Sequence, residues 1–429
     1  MTTRIHNSTQ KYHRMFQISR PVALGIFGFL AAFAVLTANA AEDHWPRFRG
    51  PNGAGLSDTT TVPVKWTQAD YNWKVKLPGT GHSSPVIWGD RLFVTCSDKK
   101  SGRRTLVCLH AHQGKLLWQR NFTAKVHSQH QYNSFASTTP TVDSERAYML
   151  WATPDEVTLL AVDHAGKDVW RRSLDRFEST HGIGTSPIVV GDLVVLANDQ
   201  KGKASLIAVD CRSGETRWQI DRKSGLTPAS TPCLHDDGRR GPRLIFTSTA
   251  HGITAVDPAK GIVDWQLEKV FLDRCVGSPL SVGGLVVASY GFGTKGTRLV
   301  GVRPMAKTAE PEIVIDMTKT VPLTCTPIAY KGMLFCWTDD GRITCLRLSN
   351  GEVVWQNRLS ARFFGSPVCV NGRLYILSVD GEVFVLAAGD KFELLARNPL
   401  GELSYATPAV AFGRLYLRTH GHLISVGGK

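Results

Sequence analysis

Seven residues scattered along the chain have side chains able to hold an anion or exchange a proton: His82, His127, Asn133, His181, Arg274, Arg362 and Tyr405. Each lies in a stretch that leads into a Ser-Pro or Thr-Pro pair. The guanidiniums of Arg274 and Arg362 suit a carboxylate or phosphate, and a charge-assisted bond of that kind contributes about 1.5–3 kcal/mol. These residues act together only if the fold gathers their stretches at one place.

Other suggestive spacings lack the context their chemistry needs. Gly291-Phe292-Gly293-Thr294-Lys295-Gly296 matches the dinucleotide fingerprint, but a pyrophosphate needs a helix N-terminus after the loop. Apolar runs that read as strands, Leu285–Ser289 and Thr297–Val302, flank it instead, so it reads as a hairpin turn. His110-x-His112 and His127-x-x-His130 have metal-ligand spacing. Zinc and copper want three or four converging ligands, the sequence shows no third, and no metal is expected. There is no Gly-x-Ser-x-Gly elbow and no assignable Ser/His/Asp triad, so no catalytic residue is assigned.

The nine cysteines are dispersed without a CxxC pair, which argues against a structural zinc. If Asp340-Gly341 is a two-residue turn, Asp339 faces Arg342 and Cys336 falls opposite Cys345. Cross-strand Cβ atoms lie ~4.5–5.5 Å apart, a gap that strand twist would have to close for a disulfide. A Cys336–Cys345 disulfide is one expectation and two buried thiols are the other. Cys96 and Cys108 make a weaker pair.

The elements that must position these residues come from a repeat. Ser or Thr before Pro recurs at Pro85, Pro140, Pro187, Pro232, Pro279, Pro327, Pro367 and Pro408, at spacings of 55, 47, 45, 47, 48, 40 and 41 residues. After each pair come an apolar strand, a turn and further strands. Five times the unit ends on Gly-x-x-x-Trp, at Trp118, Trp170, Trp218, Trp265 and Trp355. A period of about 40–50 residues is that of propeller blades. The eighth unit lacks its last strand, and Asn72–Leu77 stands as an orphan strand before the first. The expectation is an all-β, eight-bladed β-propeller closed by an N-terminal strand, with no open edge. Its stretches before Ser/Thr-Pro would then converge on one mouth of a central channel, the default place for a ligand.

These repeats resemble the tryptophan-docked units of pyrroloquinoline-quinone (PQQ) propellers over residues 73–429. Trp45-Pro46-Arg47-Phe48-Arg49-Gly50-Pro51-Asn52-Gly53-Ala54-Gly55 is similar to an N-terminal motif of the bacterial PQQ-binding-like repeat proteins. The resemblance reaches two branches, the quinoprotein alcohol dehydrogenases and the outer-membrane assembly propeller lipoprotein. The chain lacks the adjacent Cys-Cys pair that lies over the quinone in the dehydrogenases, and their calcium ligands and base Asp find no counterpart. It also lacks the lipobox Cys of the assembly lipoprotein. No kinase loop or His-Arg-Asp unit is present.

Residues 1–40 read as an export signal. Arg4, Lys11, Arg14 and Arg20 precede an apolar run, Pro21–Leu36, and Ala38-Asn39-Ala40 forms a small-x-small cleavage site. The run approaches the ~17 residues of the shortest membrane spans, so an uncleaved anchor is the alternative. Residues 41–72 read as a strap and 73–429 as the propeller. Removing four signal cations from +14 leaves +10, spread without a basic run, which excludes a dedicated nucleic-acid groove. The expectation is a monomeric periplasmic or extracellular module that binds or scaffolds a protein or cell-envelope ligand. A PQQ-using oxidoreductase is the alternative, and a platform with no small ligand is a third reading.

Overall fold

The computed structural model describes residues 44–291, 296–305 and 310–429, so the export segment expected over 1–40 lies outside it. Eight antiparallel sheets follow one another along the chain and form the blades of a β-propeller. In the third blade the strands run outward in order as Ile188–Val190, Leu193–Asn198, Ala204–Asp210 and Thr216–Arg222. Each middle strand has neighbouring blades against both faces, so Leu193–Asn198 is buried throughout and reads as a continuous apolar run. The outer strand is covered on one face only. There Trp218 is buried while Thr216, Arg217 and Gln219 are exposed.

The core is therefore a set of clusters between blades. Tyr148, Leu150 and Leu159 of the second blade pack on Val194, Leu196 and Ile207 of the third. Ile188, Val195 and Leu206 of the third pack on Leu244, Phe246 and Val256 of the fourth. Each repeat tryptophan locks this stacking from the rim. Trp118, Trp170 and Trp218 donate their indole N–H to the backbone carbonyls of His164, Cys211 and Pro258 in the next blade, at 2.8–2.9 Å. Their rings lie on Gly166, Gly214 and Gly261, where a Cβ would come within 2.8 Å. In the fifth blade, whose turn-and-Trp unit is degenerate, Ile315 takes the tryptophan's place against Gly351.

The ring closes as the truncated eighth unit requires. Tyr71–Lys76 pairs antiparallel with His422–Gly427 as the outer strand of the last blade. Trp73 on that strand is the missing docking ring: it donates to the Ala111 carbonyl at 3.1 Å and lies on Gly114 of the first blade. The preceding segment is stitched to several blades. His44–Trp45 adds to Val86–Trp88 of the first blade, and Leu56–Ser57 runs parallel to Val368–Val370 of the seventh. Asn398 then grips the Trp66 amide and the Val64 carbonyl.

The expected Cys336–Cys345 disulfide is not formed, and both cysteines are free and buried. The turn is longer than the sequence suggested. The Thr338 amide donates to the Arg342 carbonyl, leaving a three-residue loop, Asp339-Asp340-Gly341, with Gly341 at φ 87°. One added residue shifts the register, so Cys336 pairs with Thr344 and Cys345 with Phe335. The two thiols consequently point to opposite faces of the sheet, Cys336 toward the fifth blade's core and Cys345 toward the seventh's. Cys96 and Cys108 likewise sit opposite Thr105 and Phe93.

Gly291 pairs antiparallel with Thr297, and residues 292–295 of the GxGxxG stretch lie outside the described part. Among the described residues no helix is long and apolar enough to cross a membrane.

Candidate functional site at the channel mouth

The Ser or Thr before each Pro opens an innermost strand, whose backbone N–H has no strand further inside to bond. The fold supplies an acceptor from the next blade. Ser84 N–H donates to the Thr139 hydroxyl, Thr139 to Ser186, Ser186 to Thr231 and Thr231 to Ser278. Ser278 donates to Thr326, Thr326 to Ser366, Ser366 to Thr407, and Thr407 back to Ser84. Eight hydroxyls thus girdle the channel at 2.9–3.2 Å, and the following prolines bring no N–H to satisfy. All eight line one chamber of about 840 Å³ that opens at the mouth and is floored by Phe48.

Of the seven residues singled out from the sequence, His82, Asn133, His181, Arg274, Arg362 and Tyr405 line this chamber. His127 does not. Its ring packs on Phe135, with Nε2 3.2 Å from the Ala152 carbonyl, so it belongs to the second blade's wall. Asn133 is engaged in structure: its amide donates to the carbonyls of His181 (2.6 Å) and Ile183 (3.2 Å), tying the loops of the second and third blades together.

The remaining groups divide into stacked rings and free cations. Tyr405 stacks on His82 at 4.5 Å, on His420 at 5.5 Å and on Phe364 at 5.4 Å. Phe364 meets Tyr132 at 5.0 Å, and His130 stacks on His181 at 4.7 Å. Burial, reinforced by Arg418, pushes His82 down to about 3. Burial and then the Arg274 charge push His181 down to about 4. Both imidazoles are neutral at pH 7, which leaves the positive charge to the arginines. Arg274 Nε is buried without a partner, and no carboxylate lies within 4 Å of the guanidinium of Arg274 or Arg362 among the described residues. Burial also raises the Asp339 carboxyl, against the opposing hydrogen bonds from the Thr324 amide and hydroxyl. No group of three or more His, Cys, Asp or Glu among the described residues is placed to hold a metal.

The sequence model described as "Outer membrane protein assembly factor BamB", built on the PQQ-type repeat, matches residues 64–221, 154–307 and 316–427. The chain belongs to that BamB-type PQQ-repeat family. Its relatives are of two kinds. BamB of Moranella endobia is 21% identical over 52% of this chain and 58% of its own length. Polyvinylalcohol dehydrogenase of a Pseudomonas species is 25% identical over 40% of this chain and 27% of its own length. The chain thus spans little more than half of one relative and about a quarter of the other. Among solved structures, BamB from Moraxella catarrhalis covers 86% of this chain and 97% of that chain, at TM-score 0.60 and 18% identity. Quinohemoprotein alcohol dehydrogenase from Comamonas testosteroni covers 91% and 81%, at TM-score 0.66 and 14% identity. At such identities the likeness is one of fold.

Within this BamB-type propeller several mouth groups escaped the sequence reading. Phe364 carries no repeat signal, and in the sequence His420 and Asp339 stand only beside hairpin-turn glycines. The hydroxyl girdle was visible as eight Ser/Thr-Pro pairs, but its circular bonding needs the blades side by side.

Proposed function

We propose that this protein is an exported binding module of the cell envelope, a propeller that scaffolds its partner by seating an anionic group at the channel mouth. The partner is a protein or an envelope ligand that presents a carboxylate or phosphate. The observation that carries the reading is the pair Arg274 and Arg362, which line one chamber with no carboxylate within 4 Å of either guanidinium among the described residues, Asp273 acting on Arg274 only from further off. Around them the rings of Tyr405, Phe364 and Tyr132 offer apolar faces, so a charged group and its carbon frame find complementary seats. The export reading rests on the pattern of residues 1–40. In the double variant Arg274→Ala/Arg362→Ala, retention on an envelope fraction should fall at least tenfold with an unchanged melting temperature. Full retention would remove the mouth from the account.

A second reading, an oxidoreductase using PQQ, is favoured by the Asp339 carboxyl, raised by burial in a chamber with flat aromatic walls. The fit to that cofactor is incomplete. The adjacent cysteine pair is missing from the sequence, and the described residues group no three metal-type ligands. No chemical step is therefore built on the quinone. A visible-absorbance titration with PQQ and calcium separates the readings: a saturable new band would favour the oxidoreductase.

A further inference from the structure

The segment ahead of the first blade carries two arginines to a place where the fold offers no counter-charge. From the inner strand of the first blade at Trp45, the chain must reach the inner strand of the seventh at Leu56. On the way it touches the fourth blade. Arg47 Nη2 donates to the Pro232 carbonyl at 2.5 Å, and Asn52 exchanges two hydrogen bonds with the Leu234 backbone at 2.7 and 2.8 Å. The segment thus spans the channel below the hydroxyl girdle, and Phe48 faces the chamber from beneath.

Arg49 is 0% exposed and Arg47 7%. Nε and Nη1 of Arg49 and Nε of Arg47 are buried without a partner, and the one bond of Arg49, to the Ala54 carbonyl, is long at 3.4 Å. Among the described residues no carboxylate lies within 4 Å of either guanidinium. The titratable groups that face Arg49 are the thiols of Cys325 and Cys233 and the guanidinium of Arg47. Burial lowers Arg47 to about 10 and Arg49 to about 9, so both stay charged at neutral pH. Arg222, also buried, is bidentate on Asp199 at 3.1 and 3.0 Å, whereas the lone buried guanidiniums of Arg104 and Arg418 rest on the carbonyls of Gly102 and Ser83. Arg47 and Arg49 differ from these in lying close enough to act on each other's charge. Two like charges buried side by side demand compensation.

We propose that Arg47 and Arg49 hold a small inorganic anion on the floor of the channel, chloride in ordinary buffers. The close surroundings admit only a small ion. A Cβ at Gly55 would stand 2.9 Å from Arg49 Nη2 and 3.3 Å from the Ile328 side chain, so the surroundings are already tight. The backbone curls back around the arginines, with Gly55 N–H on the Arg49 carbonyl and Gly50 N–H on the Arg47 carbonyl. Unfolding this segment would release the ion, which couples global stability to anion concentration.

The test melts the mature chain in chloride against gluconate, an anion too large for the site, at constant ionic strength. The melting temperature should climb with the logarithm of chloride concentration, by about 1–3 °C per tenfold. Crystals grown in bromide should show an anomalous peak beside Arg49 Nε. Arg49→Met should abolish the chloride dependence, and the wild-type titration and the bromide peak decide the matter if that variant does not fold. Arg274→Ala/Arg362→Ala should leave the dependence intact, which keeps this site separable from the mouth. Identical melting in chloride and gluconate, with water alone beside the guanidiniums, would overturn the proposal.

Discussion

The backbone N–H of Thr407 donates to the hydroxyl of Ser84 at 3.2 Å, joining residues 323 positions apart. This bond completes the eight-membered girdle and, with the pairing of Tyr71–Lys76 on His422–Gly427, seals the propeller twice over, at the axis and at the rim. Ser84→Ala leaves the Thr407 amide buried without an acceptor, at a cost of about 1–3 kcal/mol. Ser84→Thr keeps the hydroxyl, as four other blades do, and should stay within about 1 kcal/mol of wild type. Urea denaturation of both variants checks the pair.

At the rim, Gly214 combines φ 72° with the Trp170 ring lying where a side chain would be. Gly214→Ala adds a strained backbone to a steric clash, and should destabilise by about 2–4 kcal/mol. Gly225, with nothing within 4 Å of its notional Cβ, serves as the control, and Gly225→Ala should be near neutral. Calorimetric melting of the two variants distinguishes them.

Stability should fall in mild acid through the mouth histidines. Folded His82 and His181 take a proton only near about 3 and 4, whereas the unfolded chain does so near 6.5. Below pH 6.5 the unfolded state binds more protons, so stability is complete above that value and is lost as pH falls toward 4. Urea midpoints between pH 7.5 and 4.5 should drop less in His82→Gln/His181→Asn than in wild type. Parallel curves would assign the acid sensitivity to other groups.

Cys336 and Cys345 should both be alkylated when the protein is unfolded without reductant, because they occupy opposite faces of one sheet. Peptide mapping that finds them cross-linked would contradict the register around Gly341.

How far the sequence could be read depended on the range of the interactions. The Ser/Thr-Pro period and the Gly-x-x-x-Trp units announced the blades because each is a local packing device repeated under the same constraint. Closure was legible from what the eighth unit lacked, although the role of Trp73 as the docking ring on Gly114 emerges only once first and last blades touch. The Cys336 register failed on a single turn residue, a detail that alternation alone does not fix. At the mouth, the stretches before Ser/Thr-Pro do converge on one chamber, yet the sequence does not say which side chains face it. His127 turned into the wall, Asn133 became a tie between loops, and Phe364 arrived unannounced. Side-chain direction in loops follows from tertiary contacts that no period encodes.

The central claim, that the partner is held at the channel mouth, is tested most directly by site-specific photo-cross-linking in intact cells. A benzophenone amino acid replaces Tyr405, which lines the chamber, or Val353, which is exposed on an outer strand. The account predicts a discrete adduct from position 405 that disappears in the Arg274→Ala/Arg362→Ala background, and none from 353. An adduct from 353 alone, or one from 405 indifferent to the two arginines, would contradict it.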